Sequence, residues 1–277
     1  MSPGLGRMPY DNLYIYYING KVANDWVGLG DGFIGNWQEA DSSFLFFSRP
    51  ADKQVESLVH ADDGLVLKDR FVMPYEDWVG SGMCAFSAAG LQVLPPWLAD
   101  NARSDQNRIL LDPGVVFGSG SHTTTRDCIR ALDFVLSNNA VSRTLDLGCG
   151  TGLLALAAAR MGSTHTLAVD NNYLAAQTAR DNILRNGMED RVLAVHGCAS
   201  DFISVDADLL VANIHYDVMK KLIGSPGFLK KKWFVLSGLL RSQCVQVEDE
   251  LRHRGAEIRQ KRSDDHVWYT LAGACII

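Results

Sequence analysis

The feature that most constrains this chain is an alternation of strand-like and helix-like segments from residue 144 to 254, opened by a glycine-dense turn. Thr144–Leu147 is a short apolar run. Asp146-Leu147-Gly148-Cys149-Gly150-Thr151-Gly152 turns from it into an Ala/Leu-rich helix predicted over Leu153–Met161. Thr166–Val169 reads as the next strand and Leu174–Arg185 as a helix, stopped by Asn186-Gly187. Strands follow at Val192–Val195, Asp208–Ala212 and, after a Pro-Gly turn, Lys232–Leu236. Ser242–Arg254 is a helix that Gly255 closes. Such alternation requires parallel pairing with helices on both faces of the sheet. The last two strands, Ala256–Lys261 and Val267–Leu271, have no helix between them, so the final one is expected to run antiparallel as a hairpin. The expected class is α/β, with a seven-stranded Rossmann-like sheet.

Ahead of this region, residues 10–72 read as a small α+β unit. Leu13–Ile18, Phe44–Phe47 and Gly64–Val72 are strand candidates by their aromatic and β-branched content, and Gln54–Ala61 is a short helix. The stretch 74–113 holds Pro74, Pro95, Pro96 and Pro113, with Gly80, Gly82 and Gly90, and reads as a connection. The expected division is a domain over 1–73, a linker over 74–110 and a second domain over 111–277.

Composition excludes several classes. Apolar residues at 47% and charged residues at 21% are near the globular average, which excludes disorder as the main state. The longest apolar block, Leu153–Ala159, is far too short to span a bilayer. The first twelve residues lack a secretory apolar segment, so a cytoplasmic protein is expected. Cys84, Cys128, Cys149, Cys198, Cys244 and Cys275 are scattered without a C-x-x-C pair, and no H-E-x-x-H occurs, so neither a disulfide framework nor a metal site is expected. Residues 1–100 carry six Lys/Arg against thirteen Asp/Glu, and the remainder twenty against nineteen. An acidic front domain either solubilises the chain or attracts a basic partner, and it disfavours nucleic acid. Lys230-Lys231-Lys232 is a small basic run that reads as a solvated turn.

The glycine turn has a chemistry of its own. Glycine lets the backbone turn sharply and approach a ligand closely, and the following helix presents free N–H groups to an anion. A dinucleotide fingerprint needs G-x-G-x-x-G, but Leu153 stands where the last glycine would be. What stands here is D-x-G-x-G-x-G, which is similar to the loop of the class I methyltransferases that hold S-adenosylmethionine. An acidic residue, Asp170, follows twenty-two positions after Gly148 at the end of the next strand. A carboxylate there can accept both hydroxyls of a ribose.

After the strand 208–212 comes Asn213-Ile214-His215-Tyr216, at a strand end beside the expected ligand crevice. It resembles a degenerate form of the Asn-Pro-Pro-Tyr tetrad of N-methyltransferases. Methyl transfer needs a nitrogen lone pair, and neutralising a lysine amine at pH 7 costs about 4–5 kcal/mol. Desolvation and a nearby sulfonium lower that cost. The Asn213 carboxamide oxygen, or the backbone carbonyl beside it, is a candidate acceptor for the amine's N–H groups. Tyr216 is a candidate channel wall or a packing aromatic, and His215 a candidate general base or a simple polar contact.

A longer match extends these readings. Leu111-Asp112-Pro113-Gly114-Val115-Val116-Phe117-Gly118-Ser119-Gly120-Ser121-His122-Thr123-Thr124-Thr125 resembles the family segment LDPGxAFGTGxHxTT. With the glycine loop, Asn213-Ile214, Ser237-Gly238-Leu239-Leu240, Gln243 and Trp268, the chain resembles the PrmA-type ribosomal-protein methyltransferases, which methylate amino groups of the large-subunit stalk-base protein. The match covers about residues 74–273 and is loose over 10–72, where Gly35–Ala40 is its best echo. It implies a class I methyltransferase sheet, S-adenosylmethionine as cofactor, and a basic protein as partner, most directly a ribosomal protein. It implies cofactor contacts at Thr125, Gly148, Asp170 and Asn213, with Gly150 in the same loop and Phe117-Gly118 over the methionine part. Gly118–Ser121 reads as a lid and Arg126–Leu136 as a helix. The family's N-terminal domain is described as ferredoxin-like and recognises the protein substrate. The sequence departs from the family pattern at His215-Tyr216-Asp217, at its glycine-interrupted linker and in its acidic front domain. Methylation of a small molecule or of a non-ribosomal lysine, and a non-catalytic cofactor-binding module, stand as the alternatives.

Overall fold

A computed structural model describes residues 8–23, 29–79, 85–99 and 107–276. Gly80, Gly82 and Cys84, and residues 1–7 of the N-terminal reading, lie outside that range. The first sheet holds β1 (Asn12–Asn19), β2 (Phe33–Glu39), β3 (Ser42–Phe47) and, after helix α1 (Asp52–Ala61), β4 (Val66–Pro74). Its order is β2-β3-β1-β4 with all neighbours antiparallel. This is the ferredoxin-like strand order, with α1 in the second crossover. Leu45, Phe47, Val55 and Leu58 fill the space between α1 and the sheet.

The stretch expected as a connection carries elements of its own. Helix α2 (Tyr75–Val79) leads to β5 (Phe86–Ala88), β6 (Leu91–Leu94) and β7 (Arg108–Leu110), which form a three-stranded sheet. These strands have three or four residues each, too short for alternation to reveal.

The large sheet begins after helix α3 (Thr123–Asn138). Its elements are β8 (Arg143–Leu147), α4 (Leu153–Arg160), β9 (His165–Asp170), α5 (Tyr173–Arg185), β10 (Val192–His196), α6 (Ala199–Phe202), β11 (Leu209–Asn213), α7 (Tyr216–Gly224), β12 (Trp233–Leu240), α8 (Arg241–His253), β13 (Ala256–Arg262) and β14 (Trp268–Cys275). The order is β10-β9-β8-β11-β12-β14-β13, with β14 antiparallel to both neighbours as the hairpin reading required. Ile129, Leu132 and Val135 of α3, with Leu156 and Ile183, cover one face. Met219, Leu222, Val247 and Leu251 from α7 and α8 cover the other. The central strands are buried on both sides, which is why they read as continuous apolar runs.

Two helices start earlier than the sequence indicates. Asn172 caps α5 by accepting from the amides of Leu174 and Ala175, and the His122 ring caps α3 from in front of Thr123. Histidine is an uncommon cap, so no usual capping residue marks the start of α3 there. Helix α7 was not anticipated, although Met219, Leu222 and Ile223 lie at helical spacing and are buried.

The first sheet packs on the second region through a shared core. Leu13, Ile15 and Phe46 meet Val115, Val116, Leu174 and Ala175, with Tyr75 and Trp97 between them. Gly35 permits this approach: a Cβ there would lie 2.3 Å from Leu174 Cδ1.

Candidate active site

The carboxyl ends of β8, β9 and β11 converge where the strand order reverses, between β8 and β11. Ligands of open α/β sheets bind at such a switch point. The turn after β8 is held from beneath by Val169, whose carbonyl accepts from the amides of Gly148 (2.8 Å) and Cys149 (3.0 Å). Gly148, Gly150 and Gly152 have φ of 76°, 53° and 81°. A Cβ on Gly148 would stand 2.2 Å from Ile214 Cγ2, so glycine here also brings the turn against the end of β11.

Asp170 closes the turn from the side. Its Oδ2 accepts from the Gly150 amide and its Oδ1 from the Asn172 amide, each at 2.9 Å. Each carboxylate oxygen has two acceptor positions, so this leaves Asp170 capacity for two hydroxyl donors. Burial raises its carboxyl above the usual range, against those two amides and the His196 ring. Asp146, one strand over, is fully buried, and its Oδ2 has no hydrogen-bond partner among the described residues. Burial, then the charge of Asp170, pushes its carboxyl up to about 7, against a bond from the Ala155 amide.

The segment 111–118 lies across the turn. Thr151 Oγ1 donates to the Gly118 carbonyl at 2.7 Å, and the Phe117 carbonyl would be 2.6 Å from a Cβ on Gly150. Asn182 of α5 fixes the segment. Its Oδ1 accepts from the Asp112 amide and its Nδ2 donates to the carbonyls of Asp112 and Thr151, at 2.9–3.0 Å. Asn186, one turn on, brackets Leu110 through its amide and carbonyl. The sequence signal for this pair is an i, i+4 repeat of asparagine on a helix. The Gly118–Ser121 stretch, expected as a lid, is held by the Ser119–Ser121 hydroxyl pair and by Phe86, whose ring fills the place of a Cβ on Gly120. Phe117 is 79% exposed, and its ring meets Trp37 of β2 edge-on.

Asn213 ends β11 beside the turn. Its Nδ2 donates to Thr124 Oγ1 at 3.2 Å. Its Oδ1 faces Gly238, where a Cβ would be 3.2 Å away. Thr124 therefore reaches Asn213, a contact the sequence did not single out. Thr125 is buried in the first turn of α3, its amide bonded to the His122 carbonyl. His215 lies exposed beside Asp217, at 3.6 Å, and Tyr216 bonds Gln246 of α8. The structure thus brings together Phe117, Gly118, Gly148, Gly150, Asp170 and Asn213, and directs the Tyr216 hydroxyl toward α8.

Comparison with known proteins decides the family. The profile described as Ribosomal protein L11 methyltransferase (PrmA) matches residues 69–274. The chain belongs to this family. A Clostridium perfringens protein (strain ATCC 13124) named ribosomal protein L11 methyltransferase is 28% identical over 250 residues, covering 86% of this chain and 76% of its own length. A Clostridium botulinum protein (strain Eklund 17B) of the same name is 31% identical over 195 residues, covering 68% of this chain and 61% of its own. The crystal structure of the ribosomal protein L11 methylase from Lactobacillus delbrueckii subsp. bulgaricus superposes with a TM-score of 0.59 at 26% identity, over 70% of this chain and 99% of that one. The chain is accordingly an S-adenosylmethionine-dependent methyltransferase of the PrmA family with a class I, Rossmann-like sheet. The glycine turn that no side chain can fill, the spare acceptors of Asp170 and the unpartnered Asp146 Oδ2 fit such a cofactor. Among the described residues no helix is long and apolar enough to cross a membrane.

Proposed function

We propose that this methyltransferase acts on amino groups, lysine or N-terminal, of a ribosomal protein of the L11 type, and that Asn213 orients the acceptor amine. The observation that carries the reading is the Asn213 carboxamide at the switch point, with Nδ2 engaged by Thr124 and Oδ1 left toward Gly238. The cofactor supplies a methyl carbon bound to a sulfonium. Gly148, Gly150 and the Asp170 carboxylate would hold it, with Phe117, Gly118, Thr125 and Asn213 as further contacts. Asn213 Oδ1 accepts an N–H of the neutral amine and aims its lone pair at that carbon. With the cofactor bound, the amine would take its methyl group in exchange for the sulfonium bond, and the amine's extra proton would leave to solvent. Alignment supplies most of the acceleration in such a displacement.

Residues 1–73 are proposed to recognise the protein, 74–110 to join, and 111–277 to carry the cofactor site. The acidic front region suits a basic ribosomal partner, and a ribosomal acceptor places the activity in the cytoplasm. The test is methyl transfer from labelled S-adenosylmethionine to recombinant ribosomal protein L11 of the same organism. Wild type is expected to label it, and Asn213→Ala to turn over about a hundredfold more slowly while cofactor affinity falls less. Unchanged turnover in Asn213→Ala would remove Asn213 from the mechanism. Label found only in small molecules would replace the acceptor.

A further inference from the structure

We propose that His122, acting through Thr124, is a positioning residue that sets which way the Asn213 carboxamide faces. The inference rests on the reading of Asn213 given above and assigns the means by which its orientation is held.

The argument begins with the proton inventory. His122 Nδ1 lies 2.7 Å from Thr124 Oγ1 and accepts, at 3.4 Å, from the Thr124 backbone amide. A backbone N–H can only donate, so Nδ1 carries a lone pair and the ring proton sits on Nε2. The Thr124 hydroxyl then gives its single hydrogen to Nδ1. Only its lone pairs remain for Asn213, which meets them with Nδ2 at 3.2 Å. A flipped carboxamide would set Oδ1 against Oγ1, two acceptors with no hydrogen between them. The flip is refused, and Oδ1 is held on the side of Gly238, where the missing side chain leaves room.

The ring of His122 is itself fixed. Trp268 meets it edge-on with centroids 5.2 Å apart. Asp265 accepts from the Trp268 amide at 2.9 Å and from Thr123 Oγ1 at 2.6 Å, tying the loop before β14 to the start of α3. The histidine is therefore not simply a helix cap. A serine or aspartate would cap α3 as well, but neither would present a ring to Trp268 while taking the Thr124 hydrogen.

Two measurements test this. In long-range ¹H–¹⁵N spectra of the free protein, the neutral His122 ring is expected to carry its proton on Nε2, with Nδ1 shifted as a hydrogen-bond acceptor. Thr124→Val should reduce that shift, leaving the part due to the backbone amide. A ring protonated on Nδ1 overturns the proposal without any acceptor being needed. In the labelled transfer assay, Thr124→Val should lower kcat about as far as Asn213→Ala, and Thr124→Ser should restore it to within about threefold. In the Thr124 variants, affinity for S-adenosylhomocysteine should stay within about threefold. Thr124→Val placed on Asn213→Ala should cost almost nothing more, because residues acting through one group are not additive. Additive losses, or full activity in Thr124→Val beside a crippled Asn213→Ala, overturn the relay alone. Full activity in Asn213→Ala removes the underlying reading and the relay with it.

Discussion

Trp37 and Phe117 meet edge-on, with ring centroids 5.5 Å apart. Trp37 belongs to β2 of the first sheet, and Phe117 to the segment whose carbonyl crowds Gly150 in the glycine turn. The pair is thus a direct physical link between the proposed recognition region and the proposed cofactor site. Phe117 is otherwise largely exposed, so little else restrains its ring.

An aromatic edge contact is worth about 0.5–1.5 kcal/mol beyond its buried area. Trp37→Ala is therefore expected to weaken S-adenosylhomocysteine binding by about two- to tenfold, read by calorimetric titration. Fold stability should fall only modestly, because Trp37 is not fully buried. Unchanged affinity would mean that the Phe117 ring does not report to the cofactor.

Gly148 and Gly187 make a controlled pair. Both have positive φ, 76° and 60°, but a Cβ on Gly148 would strike Ile214 while Gly187 has nothing within 4 Å. Gly187→Ala should cost about 1 kcal/mol, the backbone penalty alone. Gly148→Ala carries the same penalty and also displaces the end of β11, so it should lose both cofactor binding and about 2–4 kcal/mol in urea unfolding. Equal losses for the two would show that the turn has room to spare.

The large sheet is legible in the sequence because its central strands are apolar runs and the helices before Asn186-Gly187 and Gly255 end at clear stop residues. Asp170 and Asn213 were readable as strand-end polar residues after such runs. The elements that escaped depend on partners distant in the chain. β2 contains Gly35 and Asn36, poor strand formers, and exists because Gly35 admits Leu174 and Phe33–Glu39 pairs with β3. The Asn182 bonds to Asp112 and Thr151 join residues 70 and 31 positions apart. Thr124 looked like one threonine in a row of three. Its place against Asn213 follows from how α3 crosses β11, which no local pattern encodes.

Asp208 predicts an acid-side weakness. It sits at the start of β11, where Oδ2 accepts from the amides of Ser142 and Arg143 at 3.0 Å and Oδ1 pairs with Lys232 at 2.8 Å. Burial acts to raise its carboxyl, but the Lys232 and amide bonds prevail and hold it at about 2. A lowered native pKa adds stability that is present above the unfolded value near 4 and is lost as pH falls through about 2. Asp208→Asn should cost about 2 kcal/mol at pH 7. The gap between variant and wild type should close as pH falls from about 4 to 2, read by urea unfolding at several pH values. A gap independent of pH would assign the loss to packing.

Asp146 carries the opposite sign. Burial, reinforced by Asp170, raises its carboxyl to about 7, so the native state holds a proton that the unfolded chain releases near pH 4. The stability tied to that proton is full below about pH 4 and is lost as pH rises through about 7. Asp146→Asn should therefore gain on wild type between pH 5 and 8, by at most about 4 kcal/mol. With Oδ2 unpartnered among the described residues, ionised Asp146 would offer a counter-charge to the cationic groups of a bound cofactor. Binding S-adenosylmethionine to wild type at pH 7 should then release a fraction of a proton, measured as a heat that varies with buffer ionisation enthalpy. The Asn variant should bind more weakly and release none. Equal proton release from both proteins would place the titrating group elsewhere. A variant that is more stable at pH 8 yet binds worse would show that Asp146 is kept for the cofactor at a cost to the fold.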